Sequence, residues 1–166
     1  MTTFHYSQPY IIISAFIVQD GKLLLIQENQ PPDVGKWNLP GGKLDFGENP
    51  LDAVKREAYE ESGLAFTPNV VLGINSLYRS DVPVGPKQLH VLRICFSGEA
   101  TGTVTLEHGE PLDGVEEIAA YKWVPLQEVL EINDAELRYH DIKPLVQNWQ
   151  TQKTLPLDAI SHITQG

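Results

Sequence analysis

The sequence predicts an α/β fold, a mixed β-sheet with helices packed on its faces. Three observations carry that reading. Apolar residues come in blocks of strand length early in the chain and again at mid-chain. A segment of about 13 residues with helix start and stop signals lies between them, and a longer helical stretch closes the chain. The 166 residues, 42% of them hydrophobic, suffice for one domain, residues 1–166, with a substantial core. No repeat, low-complexity tract or composition shift marks an internal boundary.

Residues 11–18 read as a buried strand. Asp20 and Gly21 supply a tight hairpin turn, so 23–27 returns as the second strand. Pro31, Pro32 and Gly35 make 30–35 a loop, and the backbone bends sharply after Trp37 through Gly41 and Gly42. Asn49 suits a helix cap, Pro50 the first helical position and Gly63 the stop. Residues 70–78 and 89–96 read as strands joined by a loop with Pro83, Gly85 and Pro86. In the second of them Leu92, Ile94 and Phe96 alternate with Arg93 and Cys95, which predicts one core-facing side. A strand at 121–124 precedes helical segments at 126–130 and 136–150, the latter broken or begun by Pro144.

Composition excludes several classes. Twelve Lys and Arg against 22 Asp and Glu give a net charge of −10, which repels polyphosphate backbones, so no nucleic acid polymer is expected as partner. The longest apolar run, 10–18, is half the roughly 18 to 20 residues of a spanning helix, and no basic residue precedes it as in a secretory signal. The expectation is a cytoplasmic protein without a membrane partner; a homodimer stays open. Cys95 is the one cysteine, so an internal disulfide or a cysteine zinc site is ruled out, and it reads as a small core residue.

The chemistry concentrates in 42–64, GKLDFGENPLDAVKREAYEESGL. At about 100° per residue, Leu51, Val54 and Ala58 share one helix face, Glu57 and Glu61 lie on its border, and Glu60 points outward beside Arg56. Like charges at i and i+4 cost an isolated helix about 0.2–0.5 kcal/mol, so local stability does not explain Glu57 and Glu61. A hard cation, Mg²⁺ or Mn²⁺, would turn their repulsion into coordination, with Arg56 orienting a neighbouring carboxylate.

Gly42, Glu48, Arg56, Glu57, Glu60, Glu61, Gly63 and Leu64 fit the pattern G-x5-E-x7-R-E-U-x-E-E-x-G-U, where U is a bulky aliphatic. Ala58 fills one aliphatic position with a smaller side chain. The segment resembles the Nudix box. The resemblance extends to the W-x-L-P-G-G approach at 37–42 and to Trp123 followed by a short helix at 125–130, covering roughly residues 10–130. It implies a Nudix-type α/β/α sandwich with a mixed β-sheet. It also implies hydrolysis of a diphosphate linkage in a nucleoside diphosphate joined to another group, a small-molecule nucleotide or pyrophosphate substrate. The implied metal is Mg²⁺ (or Mn²⁺), held by Glu57, Glu60 and Glu61 with Glu48 and the Gly42 carbonyl. Arg56, Glu57 and Glu60 are the catalytic candidates, and the general base is either a box glutamate, Glu57 first, or a later one, Glu116 or Glu117.

Two alternatives stand beside this reading: a nucleoside triphosphate or pyrimidine pyrophosphate phosphatase or pyrophosphatase, and a nucleotide sensor without catalysis. Retention of every box carboxylate opposes the sensor. Residues 144–160 are similar to a bacterial Nudix branch of nucleotide and pyrimidine pyrophosphate phosphatases. Trp37 and Tyr78 are candidates to stack on a base, against the ordinary alternative of packing with one polar edge satisfied. Arg79, Lys87 and Arg93 are candidate phosphate or ribose contacts, with a plain surface role equally open. His5, His90, His108, His140 and His162 are dispersed and receive no catalytic role.

Overall fold

The structure, a computed structural model, describes residues 9–84, 87–106 and 117–164. The elements run β1 (Tyr10–Gln19), β2 (Lys22–Glu28), β3 (Trp37–Asn38), β4 (Gly41–Lys43) and α1 (Pro50–Ser62), then β5 (Ala65–Val84), β6 (Lys87–Thr101) and β7 (Ile118–Pro125). A short α2 (Leu126–Val129), a 3₁₀ turn at Asp134–Glu136, α3 (Ile142–Gln150), β8 (Leu155–Pro156) and a second 3₁₀ turn at Leu157–Ala159 complete them. Strand β1 is the hub of the sheet. Asp20 (φ 48°) and Gly21 (φ 74°) take the two left-handed positions of a primed hairpin turn and return the chain as β2. Farther back, β1 lies parallel to β6 from Tyr10 opposite Val91 to Ile17 opposite Gly98, and antiparallel to β4. Strand β6 pairs antiparallel with β5, which carries β8 on its outer edge, while β3 and β7 flank β2. One parallel pair among antiparallel ones makes the sheet mixed.

Both faces of that sheet are covered, which explains why β1 reads as an unbroken apolar run. Ile13, Ala15 and Ile17 point to one side and pack with Leu24, Phe96 and the helix residues Val54 and Ala58. Phe16 points to the other, with Leu23, Leu25 and Cys95, against Val129, Leu145 and Val146 of α2 and α3. The result is the expected layered sandwich. No helix among the described residues is long and apolar enough to cross a membrane.

Three local expectations need correction. Strand β6 is buried on both sides at Cys95 and Phe96, because Phe96 meets α1 while Cys95 meets the α3 layer, whereas Leu92 and Ile94 are only partly buried and Arg93 is buried. The β5–β6 hairpin is longer than its Pro and Gly content suggests: Pro83 still pairs with Gln88, because register shifts between Arg79 and Pro83 absorb the irregularity. Residues 136–150 are not one helix. Leu137 is extended and bridges Trp37, and the Arg138 N–H donates to the Trp37 carbonyl at 2.9 Å, so the chain turns helical only at Ile142. Pro144 then sits in the first turn, where its missing N–H costs nothing.

Candidate active site

Helix α1 is fixed at both ends by the residues the sequence marks. Asn49 Oδ1 accepts the Leu51 N–H at 2.9 Å, and Gly63 takes φ 71° while its N–H donates to the Tyr59 carbonyl at 2.7 Å. Ala53, Val54 and Ala58 are fully buried against the sheet. Glu57 and Glu61 lie on the border of that face and are deeper than a border position requires, each 9% exposed. The glycine pair before the helix is what admits them. The Gly41 N–H donates to Glu61 Oε2 at 2.6 Å, and a Cβ on Gly42 would fall 2.5–2.6 Å from the Glu57 carboxylate.

Arg56 gathers the other carboxylates. Its Nε and Nη2 donate to the two oxygens of Glu48 at 2.8 and 3.0 Å, a bidentate grip, while Nη1 donates to Glu57 at 2.7 Å and Glu60 at 3.0 Å. Hydrogen bonding from Arg56 holds the Glu48 carboxyl below its ordinary pKa. Burial outweighs the same guanidinium at Glu57 and pushes its carboxyl up to about 7. Glu61 is pushed well above the ordinary range by burial and then by the charge of Glu28. Glu117, on the surface next to this group, is raised by desolvation and by Glu28 and Glu60.

Glu28 and Arg138 belong to this neighbourhood, and sequence reasoning missed both. Glu28, at the end of β2, is buried, and its Oε1 accepts from Asn38 Nδ2 at 2.8 Å and Arg138 Nη1 at 2.7 Å. The partners are 110 residues apart in sequence, so no spacing announces them. Arg138 also lines a cavity of about 520 Å³, together with Lys36, Ser76, Tyr78, Arg79 and Tyr139. The carboxylate group and the cavity therefore meet at one side chain.

The NUDIX domain family profile matches residues 9–146. The chain belongs to the Nudix family. It is 30% identical to the human 8-oxo-dGDP phosphatase NUDT18 over 138 residues, which is 83% of this chain and 38% of that protein, so the chain spans well under half of that relative's length. Phosphatase NudJ of Escherichia coli is 24% identical over 156 residues, 92% of this chain and 91% of NudJ. Among solved structures, a NUDIX hydrolase from Nitrosomonas europaea superposes with a TM-score of 0.76 at 27% identity, covering 94% of this chain and 98% of that one.

Nudix chemistry implies a divalent cation, and the donor set here fits one. Glu48, Glu57, Glu60 and Glu61 offer hard oxygens without a soft ligand among them. Glu57 and Glu61 are buried acids whose carboxyls burial pushes up, Glu57 sharing Arg56 with Glu48 and Glu60 and Glu61 held by the Gly41 N–H. Among the described residues no three acidic, histidine or cysteine side chains already converge as an ion cage. Arg56 stands at the point where Glu48, Glu57 and Glu60 meet.

The remaining sequence candidates divide sharply. Arg93 is fully buried, donating to Ser14 Oγ, Asp141 Oδ1 and Asn38 Oδ1 at 2.9, 3.0 and 3.2 Å, so it is an internal strut and not a phosphate contact. Arg79 reaches the cavity wall, but Asp33 and Asp81 take its donors at 2.8 and 2.6 Å. Trp37 lies under the Lys122 ammonium, 3.9 Å from its ring centre, whereas Tyr78 is 65% exposed on the cavity wall. His90 bonds Ser76 at 2.9 Å, and His140 lines the cavity. Glu116, His5, His108 and the Lys87 side chain lie outside the described residues.

Proposed function

We propose that this Nudix chain, residues 1–166 taken as one catalytic domain, hydrolyses the diphosphate linkage of a nucleoside diphosphate joined to another group. Mg²⁺ or Mn²⁺ would be held by Glu57, Glu60 and Glu61 with Glu48 and the Gly42 carbonyl. One observation carries the reading: two buried carboxyls, Glu57 and Glu61, are pressed against the Gly41–Gly42 backbone, and the guanidinium of Arg56 that reaches Glu57 is shared with Glu48 and Glu60. A folded protein tolerates such a pair poorly unless a cation joins it. When bound, the metal neutralises phosphoryl charge and lowers the pKa of its water.

The chain's own groups take the other roles. Arg56 positions Glu48, Glu57 and Glu60 through four of its hydrogen bonds. Glu57, with its carboxyl near 7 in the metal-free protein, is the first candidate for accepting the proton of the attacking water. Glu117 is the second, since its charge acts on both Glu57 and Glu61. The cavity beside Arg138 receives the organic half of a small-molecule substrate, with Tyr78 available to stack on it.

A second reading, a phosphatase that removes a terminal phosphate, is supported by the names of the human and E. coli relatives and by their coverage of most of this chain. Both readings break a P–O–P linkage and differ in the product released. The test is Mg²⁺-dependent release of phosphate or of nucleoside monophosphate over nucleotide sugars, ADP-ribose, nucleoside diphosphates, nucleoside triphosphates and pyrimidine pyrophosphates, run beside Glu57→Gln and in EDTA. Turnover lost in both controls supports the hydrolase, and the product chooses between the readings. Turnover that persists in EDTA refutes the metal role, and tight binding with no turnover makes the chain a sensor.

A further inference from the structure

Arg138 stands between the carboxylate group and the cavity, and it is bound differently from the other three arginines of the sequence. Arg56 donates to Glu48, Glu57 and Glu60. Arg79 donates to Asp33 and Asp81, and Arg93 to Ser14, Asn38 and Asp141. Among the described residues the Arg138 side chain gives a single hydrogen bond, from Nη1 to Glu28 at 2.7 Å. Its Nε is buried without a hydrogen-bond acceptor: Asp33 Oδ2 is 3.2 Å away, an ion-pair distance, but outside the direction of the N–H. A guanidinium carries five N–H donors in a rigid fork, so most of this one's capacity is unused by those residues.

Position adds to the argument. The Arg138 side chain is 29% exposed and forms part of the cavity wall, while Arg79 in the same wall is 10% exposed and held by carboxylates on two sides. Glu28, which fixes Arg138, exerts its charge on Glu61 and Glu117. Arg138 is thus one carboxylate removed from the group that would hold the metal, on the side facing the cavity.

Resting on the hydrolase reading above, we infer that Arg138 is a substrate-binding residue whose free fork edge donates to oxygens of the phosphoryl group attached to the organic moiety in the cavity. Glu28 serves as its positioning partner, holding the guanidinium by Nη1 while Nε is buried beside Asp33, which leaves the Nη2 edge of the fork for the ligand. Phosphoryl oxygens suit the fork because they accept two parallel N–H bonds. A carbonyl on the organic moiety offers related acceptor chemistry, and a ligand without that moiety separates the two.

The experiment is isothermal titration in Mg²⁺ with two ligands whose P–C–P linkage resists hydrolysis, methylenediphosphonate and α,β-methylene-ADP. The proteins are wild type, Arg138→Lys, Arg138→Met, Glu28→Gln and the double variant Glu28→Gln/Arg138→Met. The expected result is a loss of about ten- to hundredfold in affinity for both ligands in Arg138→Met and a smaller loss in Arg138→Lys. The double variant removes both charges, so it leaves no orphaned buried carboxylate, and it should fold as wild type does and bind as weakly as Arg138→Met. Recovery of wild-type affinity in the double variant overturns the inference, because Arg138 then only neutralises Glu28. A loss confined to α,β-methylene-ADP also overturns it, since the fork would be reading the organic moiety. If wild type binds and Arg138→Met binds equally well, this inference alone fails; if wild type binds neither ligand, the hydrolase reading fails with it.

Discussion

The buried acids of the site make the metal-free protein sensitive to pH in a defined direction. Glu57 is 9% exposed, and its carboxyl is pushed from an ordinary 4.5 up to about 7, burial being the largest cause. In the unfolded chain the group loses its proton near 4.5, whereas in the folded chain it keeps it until about 7. Between those values the folded state binds more protons than the unfolded one, so stability falls as pH rises. It is fully present below 4.5 and lost by the time pH passes 7. A gap of about 2.5 pH units at 1.36 kcal/mol each amounts to about 3 kcal/mol across the window. Glu61 and Glu117 are raised too and act in the same direction, while Glu48, held low by Arg56, acts in the opposite sense and only below 4.5.

For a chain of this size 3 kcal/mol corresponds to about 6–12 °C in Tm. Thermal and urea unfolding in EDTA at pH 5 and pH 8 measures it. Wild type should be less stable at pH 8, and Glu57→Gln, which cannot ionise, should flatten the dependence. Saturating Mg²⁺ at pH 8 should restore stability to wild type, because an ion that binds only the folded chain shifts the equilibrium toward it. Equal stability at the two pH values in EDTA, with no change of slope in Glu57→Gln, would refute the claim that burial pushes this carboxyl up and remove the physical ground for placing a cation there.

Other expectations test other parts of the reasoning. Arg93→Met should cost about 3–5 kcal/mol in urea unfolding, because it strands Asp141 in the interior; Arg93→Met/Asp141→Asn should regain part of that loss. Glu57→Gln should lower kcat by about 10²–10⁴-fold and Glu117→Gln by less than about tenfold, and the reverse ranking in steady-state kinetics would move the general base to residue 117. Cys95, fully buried and pushed up to about 12 by desolvation, should resist a thiol-specific disulfide reagent in the native protein and react at once after denaturation. Rapid native labelling would mean that the layer between the sheet and α3 opens.

What was legible in the sequence is what the chain encodes locally. Asp20 and Gly21 specify the hairpin, Asn49 and Gly63 the limits of α1, and the 3.6-residue period the face on which Glu57 and Glu61 fall. The metal-binding candidates of the box sit within 20 residues of one another, so their grouping follows from a single loop and helix. Glu28 with Arg138, Asp33 with Arg79 and Arg93 with Asp141 lie 110, 46 and 48 residues apart, and they meet only because the sheet order sets β2, β5 and β6 beside the 134–141 segment. No local pattern distinguishes a buried arginine from an exposed one on a strand, which is why Arg93 reads as a ligand contact until Asp141 is seen beneath it. The helical reading of 136–150 failed for the same reason: Trp37 claims the backbone of Leu137 and Arg138 from a hundred residues away.

Charge ties these findings together. The chain carries −10 and has four arginines, and each of them is held by carboxylates of the chain itself: Arg56 by Glu48, Glu57 and Glu60, Arg79 by Asp33 and Asp81, Arg93 by Asp141, Arg138 by Glu28 and, at ion-pair distance, Asp33. Such pairs order the site but largely cancel each guanidinium at a distance of a few ångströms, so the free donors of Arg138 offer short-range hydrogen bonds and not a long-range pull on an anion. A phosphorylated substrate therefore meets net repulsion until positive charge arrives from outside the chain. The same acids that repel it, Glu57 and Glu61 above all, are the ones that would hold that charge. On the proposed reading, binding and chemistry would both depend on that cation charge, and the acidity that repels a nucleotide would be what recruits the metal.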